Sequence, residues 1–168
     1  MSMGKAHLIL FAALLLVAAC FDVILRRIPN WITVAIAASG FASVLVGGGV
    51  KAALAGVGAA VGTGLLFVPL WMRRAMGGGD LKLAAACAVW VGLSRSPFYL
   101  FASCLAGGAL AIICYALSSA EGRRSVRANV YGLHAPSWPR AATSPGKPRL
   151  VPYGAAFAAG AIWTVLIR

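Results

Sequence analysis

Long apolar runs broken by short basic or glycine-rich gaps set the rhythm of this chain. The first run extends from about His7 to Leu25 and ends at Arg26-Arg27. Ile28-Pro29-Asn30 then predicts a boundary, with Pro29 stopping one helix and Asn30 capping the next. A second run covers about Trp31 to Val46, and Gly47-Gly48-Gly49 predicts a turn. Lys51 follows, and a third run rich in Gly and Ala reaches Trp71, closed by Arg73-Arg74. Beyond Met76-Gly77-Gly78-Gly79-Asp80, a fourth run spans Leu81 to Leu93. At about 1.5 Å per residue that run is short for a bilayer, so its start is expected in a thinned or water-filled region. Arg95-Ser96-Pro97 makes the next turn and a fifth run occupies about Phe98 to Leu117. A polar, proline-containing, basic segment covers about 118–149, and Val151 to Ile167 supplies a sixth run opened by Pro152.

Composition turns these runs into membrane spans. With 61% hydrophobic and 11% charged residues, the chain lacks the charge to build a water-facing surface. The expected fold is all-α, a polytopic membrane protein of about six transmembrane helices of roughly 20 residues each. It forms a single domain over residues 1–168, with a polar cytoplasmic loop at about 118–149. A net charge of +12 would point to nucleic acid in a soluble protein, but here Lys and Arg fall in the gaps between runs and read as topology signals, with no nucleic-acid partner. With the N-terminus outside, the cytoplasmic loops collect Arg26, Arg27, Arg73, Arg74, Lys82 and the six basic residues between Arg123 and Arg149. Only Lys5, Lys51, Arg95 and Arg168 remain outside. The basic loop is read as topogenic and facing anionic lipid.

Some smaller features leave that reading unchanged. Cys20, Cys87, Cys104 and Cys114 show no CxxC or Cys/His spacing and are expected to be buried bystanders. The small residues Gly56, Gly58, Gly62 and Gly64 predict close helix packing. Trp31, Trp71, Trp90 and Trp163 fit interfacial belts or packing. Val17-Ala18-Ala19-Cys20 resembles a lipobox, which would make the first run a cleaved signal. Against it, Arg26-Arg27 would then have to cross the membrane.

Acidic residues are the rarest signal. The chain holds three, and two of them, Asp22 and Asp80, abut apolar runs where a carboxylate is costly. Asp22 lies one turn before Arg26, and Asp80 follows Arg73-Arg74; two spans between them return the chain to the same side. Each has a structural explanation by itself: Asp22 as an interfacial ion pair with Arg26, Asp80 as an N-cap after a flexible glycine turn. Their shared depth makes them a candidate pair. HExxH is absent, no GxSG-type elbow occurs, and His7 and His134 lie in a terminus and a polar loop, so neither a zinc site nor an activated serine or cysteine is expected. No cofactor is implied. Two carboxylates in a low-dielectric site share a proton, one activating water and the other protonating a scissile carbonyl. Gly77, Gly78 and Gly79 allow close backbone approach beside them. Other readings are a small proton-coupled transporter using the same carboxylates and a non-catalytic subunit with Asp22 as an assembly contact.

Asp22 with Arg26-Arg27-Ile28-Pro29-Asn30-Trp31, Gly77-Gly78-Gly79-Asp80-Leu81-Lys82-Leu83 and Pro152-Tyr153-Gly154-Ala155-Ala156 together resemble the type IV prepilin peptidases, membrane aspartic proteases with a GxGD motif. The resemblance runs over nearly the whole length. It implies that Asp22 and Asp80 are the catalytic dyad, supported by Gly77, Gly78, Gly79, Lys82, Arg26, Arg27, Pro29, Asn30, Pro152, Tyr153 and Gly154, with no metal. It further implies cleavage of the short basic leader of a prepilin at the cytoplasmic face of the bacterial inner membrane, with membrane lipids and the pilus assembly machinery as partners. Larger members carry a CxxC-containing insertion between the first two spans and methylate the new N-terminus. Here Arg26 to Asn30 alone fills that gap, so the resemblance is to a short, peptidase-only form of the kind found with Flp or tight-adherence pili.

Overall fold

The computed structural model describes residues 5–25, 27–73, 76–117 and 153–167, and every element among them is helical. Helix α1 is Lys5–Leu25, 21 residues rich in Leu and Ala without Gly or Pro, so nothing interrupts it. Helix α2 runs from Asn30 to Met72. Helix α3, Gly78–Val91, has 14 residues and ends at Gly92, whose positive φ of 78° turns the chain out of the helix. A single 3₁₀ turn at Leu93–Arg95 leads into α4, Ser96–Ala116, which carries a proline in its first turn. Helix α5 is Tyr153–Leu166. Three helical stretches, Ala6–Leu25, Asn30–Met72 and Leu93–Ala116, are long and apolar enough to cross a membrane, and Tyr153–Leu166 is a shorter apolar helix. The expected polar loop at 118–149 lies outside the described residues.

Helix α2 departs from the expected pair of runs separated by a turn at residues 47–49. Its 43 residues are helical throughout except at Gly49, where φ is 72° and ψ −178°. Straight, it would extend about 64 Å, twice a bilayer core. Yet its two ends meet. The Lys82 ammonium of α3 donates to the Asn30 side chain at 3.0 Å, and the Trp71 indole nitrogen lies 3.2 Å from where a Cβ on Gly78 would sit. Nearer the hinge, Gly40 packs on Trp90 and Gly56 on the Val89 carbonyl, both at the far end of α3. Helix α2 is therefore two arms folded back at Gly49, which needs no more than one residue because a glycine accepts the left-handed φ. Counting both arms, the described chain has six apolar helical segments.

Helix α3 is the axis of the bundle. Leu83, Ala84 and Ala86 through Val91 are buried, so beyond its first turn the helix is apolar and covered on all sides. It packs on both arms of α2 and on α5, while α5 also packs on α1 and α4. Phe11, Leu15 and Ala18 of α1, Ile32 and Ile36 of α2, Tyr99 of α4, and Phe157, Ala158 and Ala161 of α5 complete the core. Trp90 fixes the α1–α2–α3 junction. Its ring stacks on Phe11 with centroids 4.4 Å apart, and its indole N–H donates to the Ile36 carbonyl at 2.8 Å. That bond satisfies the one polar atom of a fully buried side chain.

The packing expected of all four glycines on the second arm holds for one of them. A Cβ at Gly56 would meet the Val89 carbonyl at 2.9 Å, whereas Gly58, Gly62 and Gly64 have nothing within 4 Å. The arm presents Ala53, Gly56, Ala59 and Thr63 to the bundle, so the other three glycines lie off the contacting stripe. The cysteines also differ from expectation: Cys87 is buried, whereas Cys20 and Cys104 are exposed and Cys114 is half-buried.

Candidate functional site

Four chain segments converge at one end of the bundle: the last turn of α1, the loop into α2, the first turn of α3 and the first turn of α5. Ile28 pins them together. It is buried and lies 3.3 Å from the Cβ position of Gly79, a tight fit, and 2.8 Å from that of Gly154, where it leaves no room for a side chain. Pro29, in extended backbone at φ −60°, precedes the first residue of α2 and is its N-cap position. Asn30 is thus helical rather than a cap, and its side-chain oxygen accepts from Lys82 instead.

Asp80 occupies the third position of α3, after Gly77 as the N-cap residue. The N-cap role considered for Asp80 is therefore not the observed one. Instead its carboxylate reaches back to the Gly77 amide, the arrangement an acidic residue adopts at the third helical position. Gly77 leaves room for this, since a Cβ there would lie 3.1 Å from the Asp80 carboxylate oxygen. Asp22, on the last turn of α1, is buried, and its Oδ2 accepts the Ala155 amide of α5 at 3.2 Å. The Gly154 amide donates to Asp80, and the charge of Asp22 acts directly on Asp80. Two carboxylates 58 residues apart in sequence are thus neighbours, held by consecutive amides of α5.

Around this pair the other sequence-derived residues divide. Gly78 lies under the Trp71 indole and Gly79 against Ile28. Arg27, Pro29 and Asn30 line an open cleft of about 600 Å³ with Phe21, Leu25 and Ile28. Tyr153 begins α5 and packs toward Gly107 of α4, 3.7 Å from its Cβ position. Arg26 and Pro152 lie outside the described residues, and with Arg26 goes its proposed ion pair to Asp22. His7 lies within α1 rather than in a loose terminus. Its Nδ1 is 3.0 Å from the Ser43 hydroxyl, and it sits 15 residues, about 22 Å, from Asp22 along the helix. It takes no part in the site. Two contributors were not singled out from the sequence: Ile28 as the wedge and Ala155 as a donor. Both lie inside quoted motifs, but a side chain's packing and a main-chain amide carry no signal in residue type.

An aspartate pair fed by backbone donors, at the end of an apolar bundle, is suited to moving a proton between two oxygens while water or a peptide group lies between them. Among the described residues, no group of three or more metal-ligating side chains forms. Neither curated proteins nor solved structures yield a match. A comparison with protein families does. Residues 9–112, well over half of the chain, match the type IV leader peptidase family. The matched stretch takes in Asp22, the Ile28 loop, both arms of α2 and the whole of α3 with Asp80, and stops in α4. Through that stretch the chain belongs to the type IV leader peptidase family.

Proposed function

We propose that this chain is a membrane aspartic endopeptidase that removes the short basic leader from type IV prepilins of the Flp-like kind, with Asp22 and Asp80 as its catalytic pair. The observation that carries this reading is the convergence of the two carboxylates on the first turn of α5, the only acidic side chains among the described residues. In the reaction, one carboxylate takes a proton from water and the resulting hydroxide attacks the scissile carbonyl carbon. The other, protonated, carboxyl gives its proton to the carbonyl oxygen. Collapse of the tetrahedral intermediate then breaks the C–N bond, and the departing amine takes up a proton. Acid and base roles stay unassigned, because two coupled carboxylates titrate as a unit.

Six membrane crossings are proposed from α1, the two arms of α2, α3, α4 and α5. The positive-inside rule puts the site at the cytoplasmic face of a bacterial inner membrane. The leader would meet the site from the cytoplasm while the apolar pilin segment stays in lipid, and the assembly machinery would receive the product. Nucleic acid has no part in this reading. The α1–α2 connection, too short for a CxxC insertion, supports peptidase activity without N-methylation. The transporter reading finds no support in the family match.

Co-expression with a candidate prepilin tests the proposal. Asp22→Asn and Asp80→Asn are expected to insert normally and to lower leader removal by at least about 10³-fold, because neither amide can take the proton. Wild-type processing by either variant would overturn the reading.

A further inference from the structure

The tightest approach at the site is made by α5. At Gly154 a Cβ would lie 2.6 Å from Asp22 Oδ2, 2.9 Å from its Cγ and 2.8 Å from the Ile28 side chain. Those distances leave space for hydrogen alone. Because Gly154 approaches this closely, its amide reaches Asp80 while the next amide, that of Ala155, reaches Asp22. Both amides belong to the first turn of a 14-residue helix, where N–H groups have no partner within the helix and the dipole is positive.

We propose that the first turn of α5, entered at Gly154, is the positioning element of the aspartate pair: two consecutive amides hold one carboxylate each and set the separation at which the pair shares a proton. The inference rests on the reading of Asp22 and Asp80 as catalytic, but it concerns how they are held. Gly154 and Ala155 act through the carboxylates, and neither is a catalytic residue. Two mutually repelling carboxylates need a fixed counterweight. Of the described cations near the site, Lys82 of α3 is engaged by Asn30, and Arg27 lies in the α1–α2 loop lining the cleft. The α5 amides, which add no titrating group, fill that role. Their partner glycine then follows from geometry, since any side chain at 154 separates α5 from Asp22.

Three variants of the full chain in detergent test this. Gly154→Ala inserts a methyl between α5 and Asp22. Ala155→Pro deletes the donor to Asp22 without adding bulk at 154; proline is accepted in a first helical turn, and the preceding glycine lacks the Cβ that would clash with it. Gly160→Ala is the packing control. Its Cβ would meet the Ser103 backbone nitrogen of α4 at 2.7 Å, equally tight but two turns from the pair. The carboxyl C=O infrared band is titrated against pH in each, a readable signal because the chain has three acidic side chains. Prepilin cleavage is measured in parallel.

Because hydrogen-bond donors favour the ionised form, Gly154→Ala and Ala155→Pro are expected to raise the midpoint of the aspartate band by about 1 pH unit. They should lower kcat at least about tenfold with KM within about twofold. Gly160→Ala should titrate as wild type whatever its stability. A wild-type titration in Ala155→Pro, or equal displacement in Gly154→Ala and Gly160→Ala, overturns the positioning role. Should Gly154→Ala not fold, Ala155→Pro decides alone. If the midpoint shifts as expected but the wild-type chain cleaves no prepilin, the peptidase reading fails and the positioning role stands. If the Asp22→Asn and Asp80→Asn variants lose cleavage while Gly154→Ala and Ala155→Pro keep wild-type kcat and titration, the reverse holds.

Discussion

Replacing glycine by alanine at two positions of α2 should have opposite effects, because one arm position is filled and the other is open. At Gly40 the new methyl would arrive 2.5 Å from Trp90 Cδ1 and 2.7 Å from Nε1. Trp90 has no room to yield: it is fully buried, stacked on Phe11 and tied by its N–H to the Ile36 carbonyl. Overpacking of this kind costs about 1–3 kcal/mol, while the gain of alanine over glycine within a helix offsets about 0.5–1 kcal/mol. The net expectation for Gly40→Ala is a loss of about 1–2 kcal/mol. At Gly58 nothing lies within 4 Å, so only the helix term remains and Gly58→Ala should gain about 0.5–1 kcal/mol. Separated by about 2 kcal/mol, the variants differ about 30-fold in folding equilibrium. Reversible unfolding in mixed micelles at rising SDS fraction, followed by circular dichroism, reads that difference. Equal stability of the two would show that the first arm of α2 does not lie against Trp90, and with it would go the fold-back that brings Asn30 to Lys82.

Further expectations follow from the same geometry. Spin labels at Trp31→Cys and Met72→Cys, in a background without Cys20, Cys104 and Cys114, should lie within about 25 Å by pulsed dipolar spectroscopy, since both flank the first turn of α3; a straight helix would put them about 60 Å apart. Asn30→Ala removes the acceptor of an exposed contact and should cost less than about 1 kcal/mol in the micelle assay, so a loss of several kcal/mol would mean the Lys82 bond bears more of the fold than its exposure implies. In the proposed reaction the cleavage rate should fall on the acid side as the base is protonated and on the alkaline side as the acid ionises. A single-sided profile would argue against a shared proton.

The helix boundaries were legible because lipid-compatible runs and basic gaps differ sharply in composition. The ends of α1, α3 and α4 fall within a few residues of the runs that predict them. Asp22 and Asp80 were legible through rarity: acids at the edge of apolar segments stand out whatever the fold. Gly154 came with a family motif, and its reason is visible only in the space around Asp22. What stayed hidden was which side of each helix touches protein. In α2 the outward Leu54, Val57, Val61 and Leu65 are more apolar than the inward Ala53, Gly56, Ala59 and Thr63. Lipid accepts such residues as readily as a core does, so hydrophobic periodicity loses its meaning and Gly58 cannot be told from Gly56 by sequence. The fold-back at Gly49 was half legible. The glycine triplet marked the place, but a turn made by one residue, with Gly47 and Gly48 still helical, depends on a single dihedral angle.

The length of α3 has a consequence for the surrounding lipid. Fourteen residues rise about 21 Å, against about 30 Å for an average hydrocarbon core. In the proposed orientation, the helix bearing Asp80 and the equally short α5 fall short of the bilayer, while α1 and α4 at 21 residues each fit it. Because α3 is covered by its neighbours beyond its first turn, that turn and the outer face of α5 are what meet the mismatch: shorter-chain phospholipids would relieve it and longer ones would draw acyl chains toward the aspartates. In the proposed peptidase, acyl-chain length would then act on turnover by setting how wet the pair is.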